Sequence, residues 1–270
     1  MGKTTQISWT DATWNVARGC RKVDGDCLWC YMYREAMPSK EKPKGSRYNA
    51  FEVTKTKTVF DLPLKLKLAK SECWDGRPLI FTSSLTDVFI EEIDAFRNEM
   101  WDIIRQRPNY IFQILTKRPE RIIDHLPPDW GEGWDNVWLG TSVGSNGHKA
   151  KQRLVDLSKV PAKTRFVSFE PLWERIELST IPKEVMSKYS WGIIGGESGN
   201  ENGKYRYRPC ELEWIESLIT SLKEIGGIAV FVKQLGTYLS KQMGLADRHG
   251  ADIGEFPEHL QLREFPQGSK

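Results

Sequence analysis

The sequence predicts an α/β fold, a full or partial (β/α) barrel of TIM type with about six to seven parallel strands; a doubly wound open sheet is the competing arrangement. Short apolar segments recur at 78–82, 110–115, 137–141, 165–169, 191–195 and 228–232, separated by stretches of helical character at 91–106, 118–125, 147–158 and 211–225. Strands buried on both faces read as near-continuous apolar runs, and parallel neighbours need a crossover between them, usually a helix. In addition, polar residues follow almost every apolar segment, and parallel barrels gather their ligand sites at those strand ends.

Taken in order, residues 7–19 read as a turn feeding a short first strand that delivers Cys20 at its end, and Y-M-Y-R-E-A-M at 31–37 is helical in composition until Pro38. From Lys40 to Lys70 there are eight lysines and Arg47 against Glu41, Glu52 and Asp61. A solvated flap and helix face is the favoured reading of this run, with a phosphate-contacting patch as the alternative. Asp61 and Pro63 predict a helix through Lys70, although Leu62, Leu64, Leu66 and Leu68 alternate as in a strand. A last helix is expected near 235–242.

Neither a linker nor an internal repeat interrupts the pattern, so one domain over 1–270 is expected. Its tail from 244 to 270 should pack on the barrel through Phe256, Leu260, Leu262 and Phe265. With 39% hydrophobic and 11% aromatic residues over 270 positions, the chain can form a full core. The net charge of +3 is too small to imply nucleic-acid binding by itself. No apolar run reaches the roughly 18 residues of a membrane-spanning helix, and the start M-G-K-T-T-Q fits neither a signal peptide, a myristoylation signal nor a phosphate loop. A cytoplasmic location without membrane contact is the expectation.

Three of the five cysteines form the pattern C-x6-C-x2-C at Cys20, Cys27 and Cys30, while Cys73 and Cys210 stand alone. Three cysteines cannot pair off, and the charged R-K-V-D-G-D between the first two excludes a core-filling role, so a metal or cluster suits them better than a disulfide. The strand ends then supply Thr82, Ser83, Ser84 and Asp87; Thr116, Lys117 and Arg118; Thr141 and Ser142; Ser168 and Glu170; Glu197 and Ser198 in G-G-E-S-G; and Lys233 with Gln234. Ser84 and Asp87 could equally cap a helix, and Arg118 with Pro119 could start one. Glu170 and Glu197 are harder to assign to folding alone, because carboxylates at barrel strand ends are rarely needed there. The glycines of G-G-E-S-G would let backbone N–H groups approach a ligand. His125, His148, His249 and His259 lack ligand spacing and read as surface residues. Cys210, after Arg206 and Arg208, lies in a segment that reads as accessible.

With the cysteine trio after the first strand, Trp29 just before its last member and successive βα units, the chain resembles the radical S-adenosylmethionine superfamily. More closely, it is similar to a bacteriophage-type three-cysteine-motif family within or beside that superfamily. The matching blocks are W-N-V-A-R-G-C with C-L-W-C-Y, F-T-S-S-L-T-D-V-F, L-T-K-R-P-E-R, V-W-L-G-T-S-V, R-F-V-S-F-E-P-L, W-G-I-I-G-G-E-S-G and F-V-K-Q-L-G, in order over residues 9–236. The resemblance implies that Cys20, Cys27 and Cys30 each ligate one iron of a 4Fe-4S cluster, whose fourth iron is chelated by S-adenosylmethionine. One electron from a donor such as flavodoxin or ferredoxin would then release a 5'-deoxyadenosyl radical for hydrogen abstraction. By the same resemblance, Trp29 lies near the adenine, Thr82, Ser83 and Ser84 near the methionyl amino group, Thr141 and Ser142 near the ribose or carboxylate, and Gly195 and Gly196 offer backbone to the adenine. Glu170, Glu197 and Lys117 are then the catalytic candidates, and Arg118, Lys233 and Gln234 the substrate contacts.

Two departures from the superfamily pattern stand out. The usual first gap is three residues, whereas here it is six, and the G-G-E expected after the second strand is replaced by T-S-S-L-T-D. The implied reaction is an isomerisation or another nucleobase modification, with a thymine adduct in DNA or a nucleotide as the attractive substrate; a small metabolite or peptide stays open. The alternative from another class is a nucleic-acid-binding protein with a structural zinc site, for which the sequence offers no second C-x2-C or nearby histidine pair as the fourth ligand.

Overall fold

The computed structural model describes residues 5–36 and 49–267. Its fold is α/β: β1 (Ala12–Trp14), β4 (Leu79–Thr82), β5 (Ile111–Thr116), β6 (Val137–Ser142), β7 (Thr164–Leu172), β8 (Trp191–Gly196) and β9 (Ala229–Gln234) form one parallel sheet in the order β1-β4-β5-β6-β7-β8-β9, a partial barrel of TIM type. Each strand lies beside the next one of the sheet in sequence, as right-handed βα crossovers dictate. Every residue of β4, β6 and β8 is buried, which is why these segments carry no polar alternation. The remaining strands, β2 (Ala17–Arg18) and β3 (Thr54–Lys55), pair antiparallel. Between β1 and Cys20 the chain therefore makes a small ribbon, and the first strand does not deliver the cysteine directly.

The helices are α1 (Tyr31–Ala36), α2 (Leu62–Lys65), α3 (Arg97–Arg105), α4 (His148–Ser158), α5 (Lys183–Met186), α6 (Leu212–Ile225) and α7 (Gly236–Met243). Two expected helices are shorter than the sequence suggests. The 61–70 helix is one turn, because Leu66 turns extended at φ −96°, ψ 144°. The 118–125 helix is a pair of 3-10 turns at Pro119–Arg121 and Ile123–His125. Pro38 and the lysine-rich loop up to residue 48, with Lys42 and Lys44, lie outside the described residues.

By its contacts the chain divides into two compact units, Met1–Val23 with Cys30–Gly140 and Val160–Thr164, and Asp24–Trp29 with Thr141–Lys159 and Arg165–Lys270. In the first unit, Trp14 is fully buried, donates its Nε1 to the carbonyl of Phe60 at 2.9 Å and packs edge-on against Phe112. In the second, Gly192 of β8 leaves room for Leu222 of α6, whose Cδ1 would lie 2.7 Å from an added Cβ. Because strand side chains alternate, the opposite face carries Trp191, Ile193 and Gly195 beside Phe166, Ser168 and Glu170 of β7 and Phe231 with Lys233 of β9. Trp191, Phe166, Phe231 and Phe265 make an aromatic cluster at its start, and the charged pair stands at its end. The tail adds backbone bonds to β9, from Val232 N to Leu262 O at 2.8 Å and from Glu264 N to Val230 O at 3.0 Å. No helix among the described residues is long and apolar enough to cross a membrane.

Candidate metal centre and strand-end residues

All three cysteines of the trio are half-buried. Cys20 is fixed through its backbone, donating its N–H to Ala50 O at 3.0 Å and accepting at its carbonyl from Tyr33 Oη at 2.5 Å. Cys30 immediately precedes α1, and its carbonyl accepts from the Tyr33 N–H at 3.1 Å. Cys27 ends a 3-10 turn, Gly25–Cys27, that Asp24 caps by accepting from the Asp26 N–H at 3.0 Å.

That turn is anchored by a buried carboxylate. Asp26 has a side chain only 1% exposed. It accepts from Gly144 N at 3.1 Å, Arg153 Nη1 at 3.0 Å and Trp173 Nε1 at 2.9 Å. Arg153 of α4 also pairs with Asp24 and donates to Ser142 O at 2.8 Å, and its burial lowers the guanidinium pKa to about 10. A burial of this kind is tolerable only because both charges are paired and hydrogen-bonded. On the other side Arg208 donates to Gly25 O at 2.8 Å, and its guanidinium lies 4.4 Å from the Trp173 ring centre and 5.7 Å from that of Trp29.

Near β4, the T-S-S segment folds back on the chain that follows β1. Ser83 holds φ +70°, a strained value for a residue with a Cβ, and donates its N–H to Trp14 O at 2.7 Å. Asn15 accepts from Leu85 N at 2.8 Å and donates to Ser84 Oγ at 3.2 Å, and Tyr31 Oη donates to Ser84 O at 2.5 Å. Thr82 and Ser83 are buried, whereas Ser84 is half-buried. Asp87 caps nothing alone: it accepts from Phe89 N, Thr116 Oγ1, Lys117 N and Arg118 Nη1 within 3.0 Å. Arg118 reaches on to Arg21 O at 2.9 Å, which braces the residue after Cys20.

At the ends of β7 to β9, the structure brings together Glu170, Lys233, Gln234, Gly195 and Gly196. Lys233 Nζ donates to Glu170 Oε1 at 2.5 Å, and each side chain keeps about a fifth of its surface exposed. A Cβ on Gly195 would lie 3.2 Å from Glu170 Cδ and 3.3 Å from Gln234 Cγ. Gln234 Nε2 donates to Gly196 O at 2.7 Å. Glu197 is separate in role: only 5% exposed, it accepts from Arg208 N, Nε and Nη2 at 2.7 to 2.9 Å. Thr141 and Ser142 are buried in β6.

Among the described residues no group of three or more His, Cys, Asp or Glu is gathered in metal-binding geometry. The fit to a metal centre rests on the donors themselves: three soft sulfur donors, partly accessible, suit an iron–sulfur cluster. Two sequence expectations are corrected. Cys210 is fully buried, and burial pushes its thiol up to about 12. His125 and His249 are half-buried and engaged, with His125 Nδ1 2.7 Å from Arg121 O and His249 Nδ1 3.0 Å from Thr237 Oγ1. Sequence reasoning missed Asp26, Gly144, Arg153, Trp173 and Arg208. The only signal was an aspartate on each side of the glycine in V-D-G-D, which reads equally well as a solvated turn.

A family model described as protein of unknown function (DUF5131) matches residues 4–261. The chain belongs to that family. No match was found among curated proteins or among solved structures.

Proposed function

We propose that this member of a family of unknown function is a radical S-adenosylmethionine enzyme, with Cys20, Cys27 and Cys30 as the ligands of a 4Fe-4S cluster. The observation that carries the reading is the trio of half-buried cysteines, spaced C-x6-C-x2-C, on a parallel, partial-barrel fold. With S-adenosylmethionine on its open iron, such a cluster supplies the electron that generates a 5'-deoxyadenosyl radical for hydrogen abstraction.

The chain's own residues have roles that follow from their surroundings. Ser84, half-buried and fixed by Asn15 and Tyr31, is the hydroxyl best supported for holding the cofactor's amino end. Trp29 offers a half-buried aromatic face beside Arg208. Glu170 and Lys233 present one acceptor and one donor at the partly exposed end of a largely apolar strand face, an arrangement that orients a polar substrate group. Lys233 can also hold a proton at its Nζ next to that carboxylate. Thr82 and Ser83 shape the backbone before Ser84, and Gly195 lies against Glu170 and Gln234. Lys117, half-buried beside Asp87, remains a candidate for the substrate side. For the substrate we adopt a nucleobase in DNA or a nucleotide, with isomerisation or another base modification as the reaction class; the family resemblance and the basic run from Lys40 to Lys70 support this.

Anaerobically reconstituted protein should bind about four irons and release 5'-deoxyadenosine when reduced with S-adenosylmethionine. Cys27→Ala should abolish both. An intact cluster with no 5'-deoxyadenosine sinks the reading, and zinc in place of iron after anaerobic purification favours a structural metal site instead. Mass spectrometry of nucleosides and metabolites from cells carrying the wild type or Cys27→Ala identifies the substrate.

A further inference from the structure

We infer that Asp26 and Arg153 are positioning residues for Cys27; the inference rests on the metal-centre reading above. Asp26 immediately precedes Cys27, and its carboxylate makes three hydrogen bonds, to a guanidinium, an indole and a backbone N–H, with only 1% of its side chain exposed. A carboxylate in a solvated turn would need none of these. Gly144 adds a steric requirement, since a Cβ there would stand 2.9 Å from Asp26 Oδ1 and 2.2 Å from Pro171 O. The backbone is gripped as well, by Arg208 on Gly25 O and by the Cys27 N–H on Asp24 O at 3.1 Å. Segment 24–29, α4, Gly144, Trp173 and Arg208 all belong to the same compact unit, so the clamp on Cys27 is complete within it. The partners lie 118 to 147 residues away in sequence.

The test uses the full-length chain with Asp26→Asn, which keeps the shape but removes the charge and turns an acceptor into a donor facing donors. Two readouts are taken. Thiol alkylation of the metal-free protein, resolved by mass spectrometry, gives the rate at Cys27 relative to Cys20, Cys30 and Cys73. Chelator-driven iron loss from the anaerobically reconstituted protein gives cluster retention.

The expected result is a selective rise in Cys27 alkylation and a loss of iron retention of about ten- to hundredfold, the usual scale when an outer-shell partner of a ligand is lost. A merely structural role would raise all the thiol rates together, and that outcome overturns the inference, as does a Cys27 rate equal to the wild type's. If Asp26→Asn does not fold, Trp173→Phe removes only the indole donor and should shift Cys27 in the same direction by less; an unchanged rate overturns the inference equally. A wild type that takes up no iron while the variant still shows the selective Cys27 change defeats the cluster reading alone and leaves the clamp standing.

Discussion

Glu197 and Cys210 show how far the reading of a single residue depends on partners that are remote in sequence. Both stand near Arg208; as letters, Glu197 reads as a functional carboxylate and Cys210 as a lone cysteine in an accessible segment. Glu197 is bonded three times by Arg208, so its carboxylate orients the segment that grips Gly25. Cys210 is enclosed, and desolvation disfavours its thiolate. Its raised pKa has a measurable consequence for stability. Below pH 9 the thiol is protonated in both the folded and unfolded chain, so its contribution is constant. Between pH 9 and about 12 the unfolded thiol ionises while the folded one does not, so stability must fall as pH rises. The slope from this group is at most about 1.4 kcal/mol per pH unit. Denaturant unfolding at pH 8, 9.5 and 10.5 should show a shallower alkaline loss for Cys210→Ala than for the wild type; equal slopes would show that the thiol is not enclosed.

At the scale of elements, the ends of β8 and β9 depend on close backbone approach. An added Cβ on Gly196 would stand 2.2 Å from the carbonyl oxygen of Leu235, and neither group is a flexible side-chain end. Gly196→Ala should therefore cost about 1–3 kcal/mol through forced backbone shifts, read as a lower urea midpoint with an unchanged m-value, together with loss of the Gln234 bond to Gly196 O. Six of the seven sheet strands were legible from sequence to within one to three residues at either end, because strands buried on both faces leave an uninterrupted apolar signature that no surface element imitates. Weaker elements were not. β2 and β3 have two residues each and no apolar run, and their pairing spans loop residues. The 61–70 segment satisfied helix and strand patterns at once, and Arg107 decided the outcome by bonding the carbonyls of Pro63, Leu64 and Leu66, which an extended helix would have used internally.

For the whole molecule, the trio was legible because three cysteines in eleven residues carry their own chemistry, while the clamp around Cys27 was not, since hydrogen bonds across more than a hundred residues leave no local pattern. Charge poses the same problem. The basic run suggests a phosphate surface, yet Lys55 is bonded to both carboxylate oxygens of Glu99 at 2.6 Å and lies over Phe60, and Lys65 pairs with Asp61. Neutralising Lys55 should thus disturb the packing of α3 as much as any ligand. Lys57, Lys67 and Lys70 are the better probes, because the described structure gives them no such pairing and each contributes a unit of charge. If nucleic acid is the substrate and these three contact phosphates, each neutralisation releases one fewer counterion on binding. The slope of log K against log salt should then become shallower by about 0.9 per lysine on duplex DNA and about 0.7 on a single strand. Fluorescence anisotropy over a salt series, with Lys57→Gln, Lys67→Gln and Lys70→Gln singly and together, measures those slopes. A triple variant with the wild-type slope removes this surface from the nucleic-acid reading, and salt-independent binding by the wild type removes that substrate class.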